Sequence, residues 1–154
     1  MPRLGFMFGL AGLALEFLAI VAADVRFEDG KTFFHPELDA QWPGIVGWLA
    51  PSLIAVAAGC ASSRPRRVVL FSGAIPAPLL FGIGEYQRQY PNELAGGISA
   101  IAALSFGLAA ALGTTSPPIG VRRRVARIAA GLVIGAVVSA IFAFAVFLIV
   151  LGSI

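Results

Sequence analysis

Glu16 is the ionisable residue that lies well inside an apolar run, the stretch Leu4–Ala23. A charged carboxylate at the centre of a bilayer costs about 2.5 kcal/mol or more. No Arg, Lys or His sits inside another apolar run to offset it. Glu16 must therefore carry a proton, accept hydrogen bonds from hydroxyl or backbone groups, or meet a partner outside the chain. A carboxyl that takes up and releases a proton at that depth is the chemistry of a proton- or cation-coupled transporter or channel. The structural alternative is a neutral carboxyl hydrogen-bonded to a neighbouring helix.

Other polar residues form looser groups. His35, Glu37 and Asp39 alternate and share one face if the chain is extended, whereas on a helix only His35 and Asp39 align. A metal site needs ligands converging from a fixed frame. The expectation here is a solvated acidic loop, with metal binding by His35, Glu37 and Asp39 as the alternative. Glu85, Tyr86, Arg88, Tyr90, Asn92 and Glu93 make the densest polar cluster outside that loop. They are expected at the outer membrane interface, where tyrosines commonly anchor. Arg64, Arg66 and Arg67 form one basic patch, and Arg122, Arg123, Arg124 and Arg127 another. Each is a topology signal first and a contact for anionic lipid second, at about 1 kcal/mol per charge near such lipids. Neither patch has interleaved aromatics, so nucleic acid is not an expected partner.

Absences narrow the chemistry. Cys60 is the only cysteine, which excludes an intrachain disulfide and a C-x-x-C motif. The single histidine lies in a loop, leaving no axial haem ligand in a span and no Ser/His/Asp set. No Gly-rich phosphate loop follows a strand. No cofactor is expected, and catalysis is not expected. The weaker enzymatic option is a lipid-acting membrane enzyme using the Glu85–Glu93 cluster or His35.

The elements that must hold these residues follow from hydropathy. The chain has 154 residues, 58% hydrophobic and 12% charged, against roughly 45–50% and 25% in soluble domains. A domain this small has too little interior to hide that excess, so lipid is its natural solvent. Five apolar stretches stand out, at about 4–23, 45–61, 68–84, 94–113 and 128–151. At about 1.5 Å per residue they reach roughly 25–36 Å, bracketing a hydrocarbon core of about 30 Å. The fold expected is an all-α integral membrane protein, one domain over residues 1–154 with five transmembrane helices. The third stretch contains Pro76 and Pro78 among Ser72, Gly73, Gly82 and Gly84. Prolines free backbone carbonyls that must find other donors. Broken helices line substrate sites in transporters, but the favoured reading is a kink accommodated by packing, since Gly and Pro are common in membrane helices.

Loop charge supplies orientation. Arg3 precedes the first stretch. The first loop holds Arg26 and Lys31 against Asp24, Glu28, Asp29, Glu37 and Asp39. The second loop is basic, the third carries Glu85, Arg88 and Glu93, and the fourth is basic. This alternation fits the positive-inside rule with the N-terminus cytoplasmic and the C-terminus outside. Arg3, the apolar run and Val21-Ala22-Ala23 look like a signal peptide, but Glu16 within the run argues for a retained helix. The outer loop of about twenty residues contains Val25–Phe34, which reads as a β-hairpin turning at Asp29-Gly30. Pro36 is expected to open a short helical turn through Asp39, and Trp42 and Trp48 to act as interfacial anchors.

Gly5 with Gly9, and Gly131 with Gly135, recur at the spacing that lets helices approach closely, and Ser139 and Ala143 continue the second stripe. Such stripes and the scarcity of catalytic residues favour a small accessory or structural subunit packed within a larger membrane protein complex. Its partners would be the bilayer, including anionic lipids, and other membrane subunits or copies of itself. The alternative is a small transporter or channel using Glu16. Ten of the eleven basic residues are arginine. With the abundant Ala and Gly, this points to a GC-rich bacterial genome and a cytoplasmic (inner) membrane location.

Overall fold

The computed structural model describes the backbone of residues 2–23, 25–28, 31–34, 38–87, 92–112 and 120–152, and side chains within 3–23, 45–63, 66–87, 92–112 and 120–149 and at 152. In chain order the elements are α1 (Pro2–Ala22), β1 (Val25–Glu28), β2 (Lys31–Phe34), α2 (Leu38–Ala61), α3 (Arg64–Gly73), α4 (Pro76–Gln87), α5 (Glu93–Leu112) and α6 (Val121–Gly152). The two strands pair antiparallel, with Val25 opposite Phe34 and Glu28 opposite Lys31.

Among the described residues four segments are long and apolar enough to cross a membrane: Arg3–Ala22, Arg66–Gln87, Glu93–Leu112 and Val121–Ile149. A shorter apolar stretch, Ile45–Ala61, occupies most of α2. Helices of this kind keep every backbone group bonded internally, which lipid requires. α2 begins at Leu38 and runs on unbroken, so Asp39 opens the long helix rather than closing a separate short turn.

The third apolar segment is two helices. α3 ends at Gly73 and α4 starts at Pro76. Between them the chain tightens, as Ala74 N–H donates to Phe71 O at 3.2 Å and Ile75 N–H to Ser72 O at 3.2 Å. These are the three-residue bonds of a 3₁₀ turn. Pro76 and Pro78 have no N–H to continue the α pattern.

Contacts fix the helix directions. Asn92 Nδ2 donates to Ala22 O at 3.0 Å, and Gly12 lies under the Phe106 ring, so α1 and α5 are antiparallel. Glu16 meets Ser52 and Gly9 meets Val56, so α1 and α2 are antiparallel. Gly131 lies on Val69 and Ser72, and Gly135 on Gly73, which makes α6 parallel to α3. Among the described residues the core shows two apolar clusters. One gathers Ala19, Ile20, Ala22, Ile45, Phe81 and Ala95, and the other Val56, Phe71, Ala74, Phe106, Ala109 and Ala110. Trp48 packs inward on the first, edge-on to Phe81 with ring centroids 5.6 Å apart. Trp42 lies outside the described side chains.

The glycine stripes face inward. Gly5 and Gly9 are buried, and Gly9 and Gly59 lie against the Phe71 ring. A Cβ on Gly135 would overlap the Gly73 carbonyl oxygen, and one on Gly131 would overlap Ser72 Oγ and Val69 O. Backbone cannot yield to a methyl as a flexible side chain can, so α6 reaches α3 only through these glycines. Gly135→Val is expected to lower thermal stability in detergent markedly, by about 1–3 kcal/mol or more. Gly107→Ala, where a Cβ meets open space, is expected to change it little.

Candidate functional site

Glu16 is fully buried on α1. Ser52 Oγ of α2, also fully buried, donates to Glu16 Oε1 at 3.0 Å. The same hydroxyl lies 3.2 Å from Ala74 O, at the break between α3 and α4. The reason for that contact is local. In a regular helix the Ala74 carbonyl would accept from the N–H of residue 78, which is proline. Ser52 replaces the missing donor.

Ser52 has one proton and two acceptors in reach. If Glu16 is ionised, the hydroxyl can serve the carboxylate or Ala74 O, and one of them goes without. If Glu16 carries the proton on Oε1, the acid donates to Ser52 Oγ and Ser52 donates to Ala74 O. Only the neutral acid satisfies all three atoms. Proton occupancy at Glu16 is thus tied through one hydroxyl to the helix break.

Further buried polar atoms stand at similar depth. Ser99 lies about two turns along α5 from Asn92, as Glu16 lies about two turns along α1 from Ala22, so the antiparallel register brings them level. Ser139 lies one turn beyond Gly135 on α6, on the α4 side of the Gly135–Gly73 contact. Glu16 Oε2, Ser99 Oγ and Ser139 Oγ are all buried without a hydrogen-bond partner among the described residues. Buried orphans of this kind need a specific account, such as a bound water or ion or a functional role. Ser72, by contrast, bonds back to the carbonyls of Val68 and Val69 in its own helix.

The other predicted groups separate. Glu85, expected at the interface, is 2% exposed on α4, whereas its neighbour Tyr86 is 52% exposed. The Tyr86 ring packs on Gly96, where a Cβ would stand 2.5 Å from it. Arg88 and Tyr90 lie outside the described residues. Asn92 links three helices. Its Oδ1 accepts from Ala95 N–H at 3.0 Å, capping α5, while its Nδ2 bonds the last turn of α1. Its own N–H donates to Glu85 O at 3.2 Å. His35 and Glu37 lie outside the described residues, as does the Asp39 side chain. Among the described residues no group of three or more His, Cys, Asp or Glu converges as metal ligands would.

The basic patches divide as well. Arg124 Nη2 donates to Ala111 O at 3.0 Å, closing the C-terminal turn of α5. Arg127 Nη1 is buried without a partner among the described residues. Arg66, Arg122 and Arg123 are exposed, Arg67 is half-buried, and the Arg64 side chain is outside the described set. Ser52 and Ser99 were not singled out by sequence reasoning. A hydroxyl in an apolar helix carries no mark of which neighbour it meets.

No family model, curated protein or solved structure matches the chain. The site therefore stands on its own geometry.

The Glu16–Ser52 bond can be isolated by a double-mutant cycle. Ser52→Ala and Glu16→Ala are each expected to destabilise. The double variant should lose less than the two single losses together, by roughly 0.5–1.5 kcal/mol. Thermal or steric-trap unfolding in detergent reads this directly, and strict additivity would separate the two residues.

Proposed function

We propose that this chain is a small transporter or channel in which Glu16 binds and releases a proton in step with movement at the α3–α4 break. The observation that carries this reading is a fully buried carboxyl whose one hydroxyl partner also holds the carbonyl freed at that break. Loss of the proton would draw the Ser52 hydroxyl to the carboxylate and release Ala74 O. The break would then have two arrangements, which a coupled membrane protein requires. The orphan atoms Glu16 Oε2, Ser99 Oγ and Ser139 Oγ are each a place where a water would find an unsatisfied polar group.

The reading takes five crossings, counting α2 as the second and α3–α4 together as the third. It takes the N-terminus as cytoplasmic, the strand pair and the residues around it as external, and the C-terminus as outside. The bacterial cytoplasmic membrane, with anionic lipid at its basic inner face, is the setting proposed. Support comes from the alternation of loop charge and from helix directions that reverse between α1 and α2 and between α4 and α5.

Reconstituted in vesicles with an imposed proton gradient, the wild-type protein should carry proton-coupled flux. Glu16→Gln should abolish it while the protein remains folded. Flux unchanged by Glu16→Gln, or no flux in the wild type, counts against the reading.

A second reading, an accessory subunit of a larger membrane complex, is favoured by α6. Only 11% of its apolar window is buried, and Val133, Ile141, Phe144 and Ile149 are each more than half exposed. This face would meet either lipid or another subunit. Gentle extraction followed by native gel and mass spectrometry should then show a defined co-purifying protein. A lone monomer would remove this reading.

A further inference from the structure

A cavity of about 410 Å³ opens where α1 begins, α2 ends and α3 begins. Arg3 and Arg67 line it, with Gly5, Phe6, Met7, Cys60 and Phe71. Two arginines thus line one space with an apolar wall. Arg67 Nε donates to Ser62 O at 3.0 Å. That bond sets the guanidinium plane, and its Nη groups take no other hydrogen bond among the described residues. Among the described residues no acidic side chain lines the cavity, so the fixed charge they bring to it is cationic. The first turn of α1 adds the positive end of a helix dipole. Along the same helix Phe6 and Met7 are 45% and 62% exposed, continuing the apolar wall out to where lipid chains would run.

We propose that this cavity is a specific site for one anionic phospholipid, its phosphate held between Arg3 and Arg67 and an acyl chain lying along Phe6 and Met7. Charge complementarity selects an anion, and the apolar wall selects one with a hydrocarbon tail. A free phosphate would leave Phe6, Met7 and Phe71 without an occupant. Such a site is different in kind from a diffuse basic surface. Arg3 belongs to neither arginine patch, and the exposed Arg66 and Arg122 line no part of the cavity. The proposal does not depend on Glu16.

Native mass spectrometry of the full chain, titrated with phosphatidylglycerol or phosphatidylcholine of matched acyl chains, tests it. One phosphatidylglycerol is expected to bind in preference to phosphatidylcholine. Arg3→Gln with Arg67→Gln should weaken that adduct about tenfold or more, and Arg66→Gln with Arg122→Gln should leave it within about twofold. Arg3→Gln alone preserves the Arg67–Ser62 bond and should still weaken it severalfold, which keeps the test decisive if the double variant does not fold. Equal loss in the Arg66/Arg122 variant, equal binding of phosphatidylcholine, or displacement of the lipid by inorganic phosphate at matched concentration would overturn the proposal.

Discussion

A carbonyl without a donor inside an apolar bundle is the constraint around which the rest is arranged. Pro78 removes the N–H that Ala74 O would have accepted from, and lipid offers no replacement. The donor must come from another helix, and Ser52 supplies it at 3.2 Å. That requirement fixes α2 along its axis relative to the break. Because the same hydroxyl meets Glu16, it fixes α1 as well. Three helices are registered by one side chain of two heavy atoms beyond the backbone.

The break also shapes what packs around it. A helix interrupted at Ala74–Ile75 presents irregular backbone, and irregular backbone at membrane depth must be covered by protein. α6 covers it from one side, and can do so only because Gly131 and Gly135 carry no side chain at the approach. The small-residue stripes are therefore accounted for within this chain. At Gly131 and Gly135 the close approach is made by a helix of the same chain. At the opposite end of α4, Asn92 performs a comparable task for termini, capping α5 and bonding the last turn of α1 with one amide.

The parts legible in the sequence were those set by solvent and covalent chemistry. Apolar length marks the membrane helices because a bilayer has a fixed thickness. Glu16 stood out because nothing else in its run is charged, and the broken third segment because proline lacks an N–H. The partners were not legible. Ser52 and Ser99 look like any hydroxyl in an apolar helix until the register between helices is known. Glu85 read as interfacial because it stands near Arg88 and Glu93 in the chain. Its burial comes from α4 packing against α5, where Gly82 lies on Ser99 and Tyr86 on Gly96. That is a tertiary fact, invisible to a window along one helix. Glycine spacing signals close approach, but it does not say whether the approaching helix belongs to the same chain.

A purely structural account of Glu16 has to explain why a carboxyl is there at all. A hydroxyl facing Ala74 O is enough to satisfy the break, and Ser52 provides it whether or not Glu16 is present. The acid adds a second polar group that itself needs a partner, and its Oε2 has none among the described residues. Buried polar pairs are often replaceable by packed apolar residues at little loss or some gain in stability, and interhelical hydrogen bonds in membranes contribute only about 0.6 kcal/mol on average. Stability alone is a weak reason for an acid at this position. What a carboxyl offers that an apolar side chain or an amide does not is a proton that can come and go. In the function proposed, the Ser52 bridge would carry the presence or absence of that proton to the backbone at the break.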